Sequence, residues 1–208
     1  GGLLMWPLFI CSAVAIGIIA ERFWSLQTKR ISPPELISHI WQWLKKDQVD
    51  NNRIGALQRN SPLGQILAAG LANRDSSRDI TKESIEDTGR HVTLSLERNL
   101  NTLGTIAAIT PLLGLLGTVI GMIKVFAVIT TEGVGNPETL AGGISEALIT
   151  TAMGLVVAIP SLIFYRYFRG KVNYLVVDME EKAIKLVEIL HGERSLDSET
   201  DLDFEQVK

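Results

Sequence analysis

The sequence predicts an all-α membrane protein with three transmembrane helices, the second and third extended into a cytoplasmic helical bundle. Two observations predict this. Charge is segregated: residues 3–20 carry none, 105–131 carry one lysine and 139–165 one glutamate, although the 208-residue chain holds 20 Lys and Arg and 23 Asp and Glu. Each stretch approaches or exceeds the ~20 apolar residues that a helix needs to cross a bilayer core of ~30 Å. Apolar stripes of helical period also run out of the second and third stretches into polar sequence.

Taken in order, residues 1–26 form the first transmembrane helix. The apolar run has no basic residue before it and is too long for a typical signal-peptide core, so the weak cleavage-like triplet Ala13-Val14-Ala15 does not outweigh a span. Cys11 is the sole cysteine; it serves packing, because one thiol makes neither an intrachain disulfide nor a cysteine metal site. Trp6 and Trp24 bracket the run as interfacial aromatics. Residues 27–104 hold a cytoplasmic helical loop and the start of a long helix. Pro33 and Pro34 start an amphipathic helix with Leu36, Ile37, Ile40, Trp41 and Leu44 on one face, and Ser61-Pro62 starts a second. From Thr81 a stripe of Ile85, Gly89, Val92, Leu96, Leu100 and Leu103 leads into the second span, 105–131.

A Gly-Pro turn over 132–138 joins it to the third span, 139–168. A helix over 169–192 then continues the stripe through Val172, Leu175, Val176, Met179, Ala183, Leu186, Val187 and Leu190, with Gly170 as its weak point. Residues 193–208 are acidic and poor in apolar side chains, which predicts disorder. Lysine and arginine set the orientation. Residues 22–100 hold twelve of the twenty, the turn between spans two and three holds none, and seven stand from Arg166, at the end of span three, onward. The N-terminus and the turn therefore face outward, and the large loop and the C-terminus face the cytoplasm.

Spans two and three are amphipathic within the bilayer. On a wheel of ~100° per residue, Thr139, Gly142, Gly143, Glu146, Ala147, Thr150, Thr151, Gly154, Ala158 and Ser161 share half of span three. Thr110, Gly114, Gly117, Thr118, Gly121 and Lys124 share a narrower face of span two. Gly114, Gly117, Gly121, Gly143 and Gly154 serve close helix packing, as small residues at four-residue spacing do. Glu146 and Lys124 need another reason, because a charge at mid-helix costs at least ~2.5–3.5 kcal/mol on insertion scales. Span two runs outward and span three inward, so Thr118 and Thr151 fall at similar depth. Lys124 then lies ~9 Å outward of one and Glu146 ~7.5 Å outward of the other, at ~1.5 Å per residue, and the two can pair. Glu146 is thus either a proton-handling carboxylate or half of an intramembrane ion pair with Lys124, pairing being the common way such a charge is tolerated. Thr118 and Thr151 either bond back to their own helix, as membrane threonines usually do, or line a polar interior.

The segments "TPLLGLLGTVIGM" (110–122) and "GGISEALITTAMGLVVAIP" (142–160), with "ERFWSL" closing span one, resemble the MotA/TolQ/ExbB proton-channel family over nearly the whole chain. Three spans with the large loop after the first is the order of its ExbB and TolQ members. The resemblance implies a bacterial inner-membrane subunit that forms a ring-shaped homo-oligomer, pentameric in known members, around a dimer of single-span ExbD-like helices. Protons would titrate an acid on that partner, along a pathway lined by Thr118, Thr151 and Thr150 with Glu146 at the family's acidic position. Their passage would energise a TonB-like protein for outer-membrane transport. Lys124 departs from the familiar pattern. Half of each polar face is left for other subunits to hide, which independently calls for an oligomer.

Other classes fit poorly. A net charge of −3 argues against nucleic-acid binding. His39, His91 and His191 are widely spaced with no nucleophile or metal ligand beside them, so neither an enzyme nor a metal or cofactor site is expected. No Gly-Lys-Ser/Thr follows the glycines of span two, as a phosphate loop requires. The alternatives left are a TolQ-like subunit for envelope maintenance and a non-conducting membrane scaffold.

Overall fold

A computed structural model of the chain describes residues 2, 4–46, 48–133 and 137–193. Among these the regular structure is helical: α1 (Met5–Ser25), α2 (Thr28–Ile31), α3 (Pro34–Lys45), α4 (Asn51–Asn60), α5 (Pro62–Ala72), α6 (Arg78–Glu132) and α7 (Pro137–Leu190). Three of them, α1, α6 and α7, are long and apolar enough to cross a membrane. Residues 134–136 of the expected Gly-Pro turn and 194–208 of the expected acidic tail lie outside the described residues. Contacts divide the chain at 23/24, 97/98 and 169/170 into two compact units.

The first unit combines α1 as far as Phe23 with α6 from Arg98 and α7 as far as Arg169. Each long helix carries a proline here, Pro111 and Pro160, and both continue through it. A proline withholds an N–H from the carbonyl four residues back, which hydroxyl side chains can help offset in transmembrane helices. Here the carbonyls left without that N–H are those of Ala107 and Val156, and the hydroxyls beside the prolines bond one residue away: Thr110 donates to the Ile106 carbonyl at 2.9 Å and Ser161 to that of Val157 at 2.7 Å, both side chains being buried. Phe23 packs edge-on against Phe164 and Phe168, with ring centroids 5.6 and 5.0 Å away, and so fastens the end of α1 to α7. Beside it Arg22 is buried, 2.9 Å from Glu21, and Glu21 accepts from Asn99 Nδ2 at 3.1 Å.

The second unit gathers α2 to α5, the start of α6 and α7 from Gly170. The expected stripes form its core: Leu36, Ile40 and Trp41 of α3, Ile85, Val92 and Leu96 of α6, and Val172, Leu175, Met179 and Leu186 of α7 are buried. The amphipathic helix α3 thus packs on its neighbours, and α5 starts where Ser61-Pro62 predicts, its Ser61 hydroxyl accepting from the Gly64 amide at 3.0 Å. Ser32, also buried, donates to Asp178 Oδ2 at 2.7 Å, and Lys182 Nζ donates to both oxygens at 2.7 Å. This polar knot fixes the turn before α3 to α7. Helices α2 and α4 carry no apolar stripe that would have announced them; in α4 only Leu57 is buried.

Candidate functional site

The antiparallel seam of α6 and α7 in the first unit is built on glycine. A Cβ at Gly154 would lie 2.7 Å from the Thr110 carbonyl oxygen, and one at Gly114 would lie 3.0 Å from Thr151 Cα. At Gly117 it would meet Thr150 Cγ2 at 2.5 Å, at Gly121 Ala147 Cβ at 2.7 Å, and at Gly143 Val125 Cγ2 at 2.6 Å. All five positions named for close packing therefore lie where one helix touches the other. Backbones this close explain the outward apolar surface as well. Leu112, Leu115, Ile123 and Phe126 of α6, and Leu148, Val156, Ile159 and Ile163 of α7, remain exposed on the far sides.

Close approach also hides part of the polar face. Thr110, Thr150 and Ser161 are sealed within this one chain. Thr150 donates to the Glu146 carbonyl at 2.9 Å and turns its methyl to Gly117, so it shows no hydroxyl to a second chain. The glycine seam thus lets the neighbouring helix cover part of each polar face, while Gly142, Glu146 and Thr151 of α7 and Thr118 and Lys124 of α6 stay partly or fully exposed. Thr139 lies at a position whose side chain is outside the described residues.

Thr118, Thr151, Lys124 and Glu146 are what remains partly open. Thr118 Oγ1 donates to the Leu115 carbonyl of its own helix at 2.7 Å. Thr151 Oγ1 instead crosses the seam and donates to the Gly114 carbonyl at 2.8 Å, a bond possible only because Gly114 carries no side chain. Both protons are thus engaged with carbonyls, which leaves the hydroxyl oxygens as acceptors toward the outside of the seam. Lys124 Nζ stands 3.9 Å from Glu146 Oε1, with the lysine side chain 58% and the glutamate side chain 34% exposed. The chain preceding α1 reaches this pair: a Cβ at Gly2 would lie 2.5 Å from Glu146 Oε1 and 3.7 Å from Lys124 Nζ. A charged pair this open in a membrane helix needs covering by something other than lipid tails.

The sequence reading missed two features of the unit, the buried Arg22 with its Glu21–Asn99 link and the Phe23 cluster. The charged pair Glu21-Arg22 closing an otherwise uncharged run was the available signal.

A sequence profile of the MotA/TolQ/ExbB proton channel family matches residues 58–181, which include both seam helices from end to end of their apolar parts. A putative biopolymer transport protein ExbB-like 1 of Synechocystis is 34% identical over 169 residues, 80% of this chain and 66% of that protein. Biopolymer transport protein ExbB of Aquifex aeolicus is 34% identical over 150 residues, 72% of this chain and 94% of the relative. The Tol-Pal system protein TolQ of Haemophilus influenzae is 36% identical over 97 residues, 47% of this chain and 42% of that protein.

Proposed function

This chain belongs to the MotA/TolQ/ExbB proton channel family, and we propose that within it the chain is an ExbB-like subunit of the bacterial inner membrane. In this reading the N-terminus and the α6–α7 turn are periplasmic and the second unit is cytoplasmic. Five copies enclose a pair of ExbD-like single-span helices, and proton flow through the assembly drives a TonB-like protein that energises outer-membrane transport. The observation that carries the reading is that a single hairpin seals Thr110, Thr150 and Ser161 but leaves Thr118, Thr151 and the Lys124–Glu146 pair partly open. One chain cannot enclose a pathway, and its open polar groups need a polar guest.

The chemistry follows from the hydroxyls. With their protons held by the Leu115 and Gly114 carbonyls, Thr118 and Thr151 offer lone pairs. Such oxygens accept from a protonated carboxylic acid or from water and release it when the proton leaves. The titrating acid is best supplied by the guest, because Glu146 is engaged by Lys124. That pair acts as a fixed dipole near the entrance rather than as the relay. Thr150, sealed in the seam, holds Gly117 and α6 in register and stays out of the pathway.

The test is proton uptake by liposomes that carry this chain with and without its single-span partner under an inward gradient. Uptake that needs the partner and falls with Thr118→Val supports the channel reading. Correct assembly with no uptake favours a non-conducting scaffold.

A further inference from the structure

The second unit has a group of cations beside the turn that follows α1. Helix α1 has 21 residues, ~31 Å at ~1.5 Å per residue, so when it spans the bilayer core its end at Ser25 emerges into the headgroup layer. Helix α2 follows after two residues and carries exposed Lys29 and Arg30. The neighbouring Thr28 hydroxyl accepts from Lys171 Nζ at 3.1 Å, which brings a third cation to the same turn.

Two of these cations, Arg30 and Lys171, are held in place rather than free to wander. The Arg30 guanidinium lies over the Trp24 ring, 4.0 Å from its centroid, and Lys171 Nζ lies 5.3 Å from that of Tyr174. Among the described residues none of the three is paired with a carboxylate, whereas Arg78, Lys82, Arg90, Lys182 and Lys185 of the same unit each are. Trp24 and Tyr174 are both 62% exposed, and so offer apolar ring surface beside the charges. Unpaired, preorganised donors next to exposed aromatics suit an amphiphilic anion better than a soluble one.

We infer that Lys29, Arg30 and Lys171, with Trp24 and Tyr174, form a docking site for the phosphate of an anionic phospholipid. The inference needs only that α1 spans the membrane, so it stands or falls apart from proton conduction. Basic residues near a membrane surface each favour anionic lipid by about fivefold.

The experiment is native mass spectrometry of the full chain in detergent, titrated separately with phosphatidylglycerol, phosphatidylcholine and inorganic phosphate. Phosphatidylglycerol is expected to be retained at least about tenfold more than phosphatidylcholine, and millimolar phosphate not to displace it. Arg30→Gln with Lys171→Gln should remove that preference, while Lys82→Gln with Lys185→Gln, an equal change of charge elsewhere in the unit, should keep it. Thr28→Val retains every charge but frees Lys171, and should lower retention by a few-fold with an unchanged melting temperature. Equal retention of the two lipids, displacement by phosphate, or an equal loss in both double variants would each overturn the site.

Discussion

The seam predicts opposite outcomes for two glycine-to-alanine changes in one helix. At Gly154 the new Cβ would stand 2.7 Å from the Thr110 carbonyl oxygen and 3.1 Å from Gly114 Cα, both backbone atoms that no rotamer change can move. Ordinary contact begins near 3.4 Å, so α6 and α7 must part by about 0.7 Å at this level. The Thr151–Gly114 bond, 2.8 Å long, then stretches toward the limit of a hydrogen bond. Overpacking of this kind costs ~1–3 kcal/mol, and the interhelical bond adds about 0.6 kcal/mol. At Gly170 a Cβ meets nothing within 4 Å, so alanine there only improves helix propensity, by ~1 kcal/mol. Thermal unfolding of the purified protein in detergent, followed by circular dichroism, separates the two. Gly154→Ala should melt lower than the parent and Gly170→Ala at least as high. A Gly154→Ala protein as stable as the parent would refute the close seam.

Three further outcomes follow from the same geometry. Thr151→Val should lower thermal stability by about 0.6–1.7 kcal/mol through loss of the bond to Gly114, whereas Thr118→Val, whose bond is local, should leave the melting temperature nearly unchanged. Lys124→Ala and Glu146→Ala should each impair oligomer assembly as measured by size-exclusion chromatography. The exchanged pair Lys124→Glu with Glu146→Lys should restore it, and failure to do so would remove the ion pair from the account. Ser32→Ala should cost ~1–3 kcal/mol in denaturant unfolding, because Asp178 and Lys182 lose a buried partner, while Ser38→Ala on the exposed side of α3 should cost far less.

Much of the hairpin was legible because membrane helices write their constraints in composition. The absence of charge marks the spans, glycine at four-residue spacing marks the seam, and ~1.5 Å per residue counted from matched threonines brings Lys124 opposite Glu146. The stripes of Ile85 to Leu103 and Val172 to Leu186 were equally plain, since a core face repeats every three or four residues. Less legible was which polar groups stay open. A helical wheel shows that Thr118 and Thr150 share small-residue faces, but it contains no partner helix, and only the glycine-mediated approach reveals that Thr150 is sealed and Thr118 is not. Arg22 shows the same limit from the other side: its place at the end of an uncharged run does not reveal that its side chain is buried. Helix α4 escaped notice because its ten residues bury one leucine and so leave no periodic trace.

The most direct test of the account compares two threonines of equal chemistry and unequal placement. In liposomes holding this chain with the proposed single-span partner, proton uptake should fall severalfold with Thr118→Val, whose oxygen is partly open, and stay near the parent rate with Thr150→Val, whose hydroxyl is enclosed. Equal loss in both, or loss in Thr150→Val alone, would contradict the claim that the pathway lies outside the sealed seam.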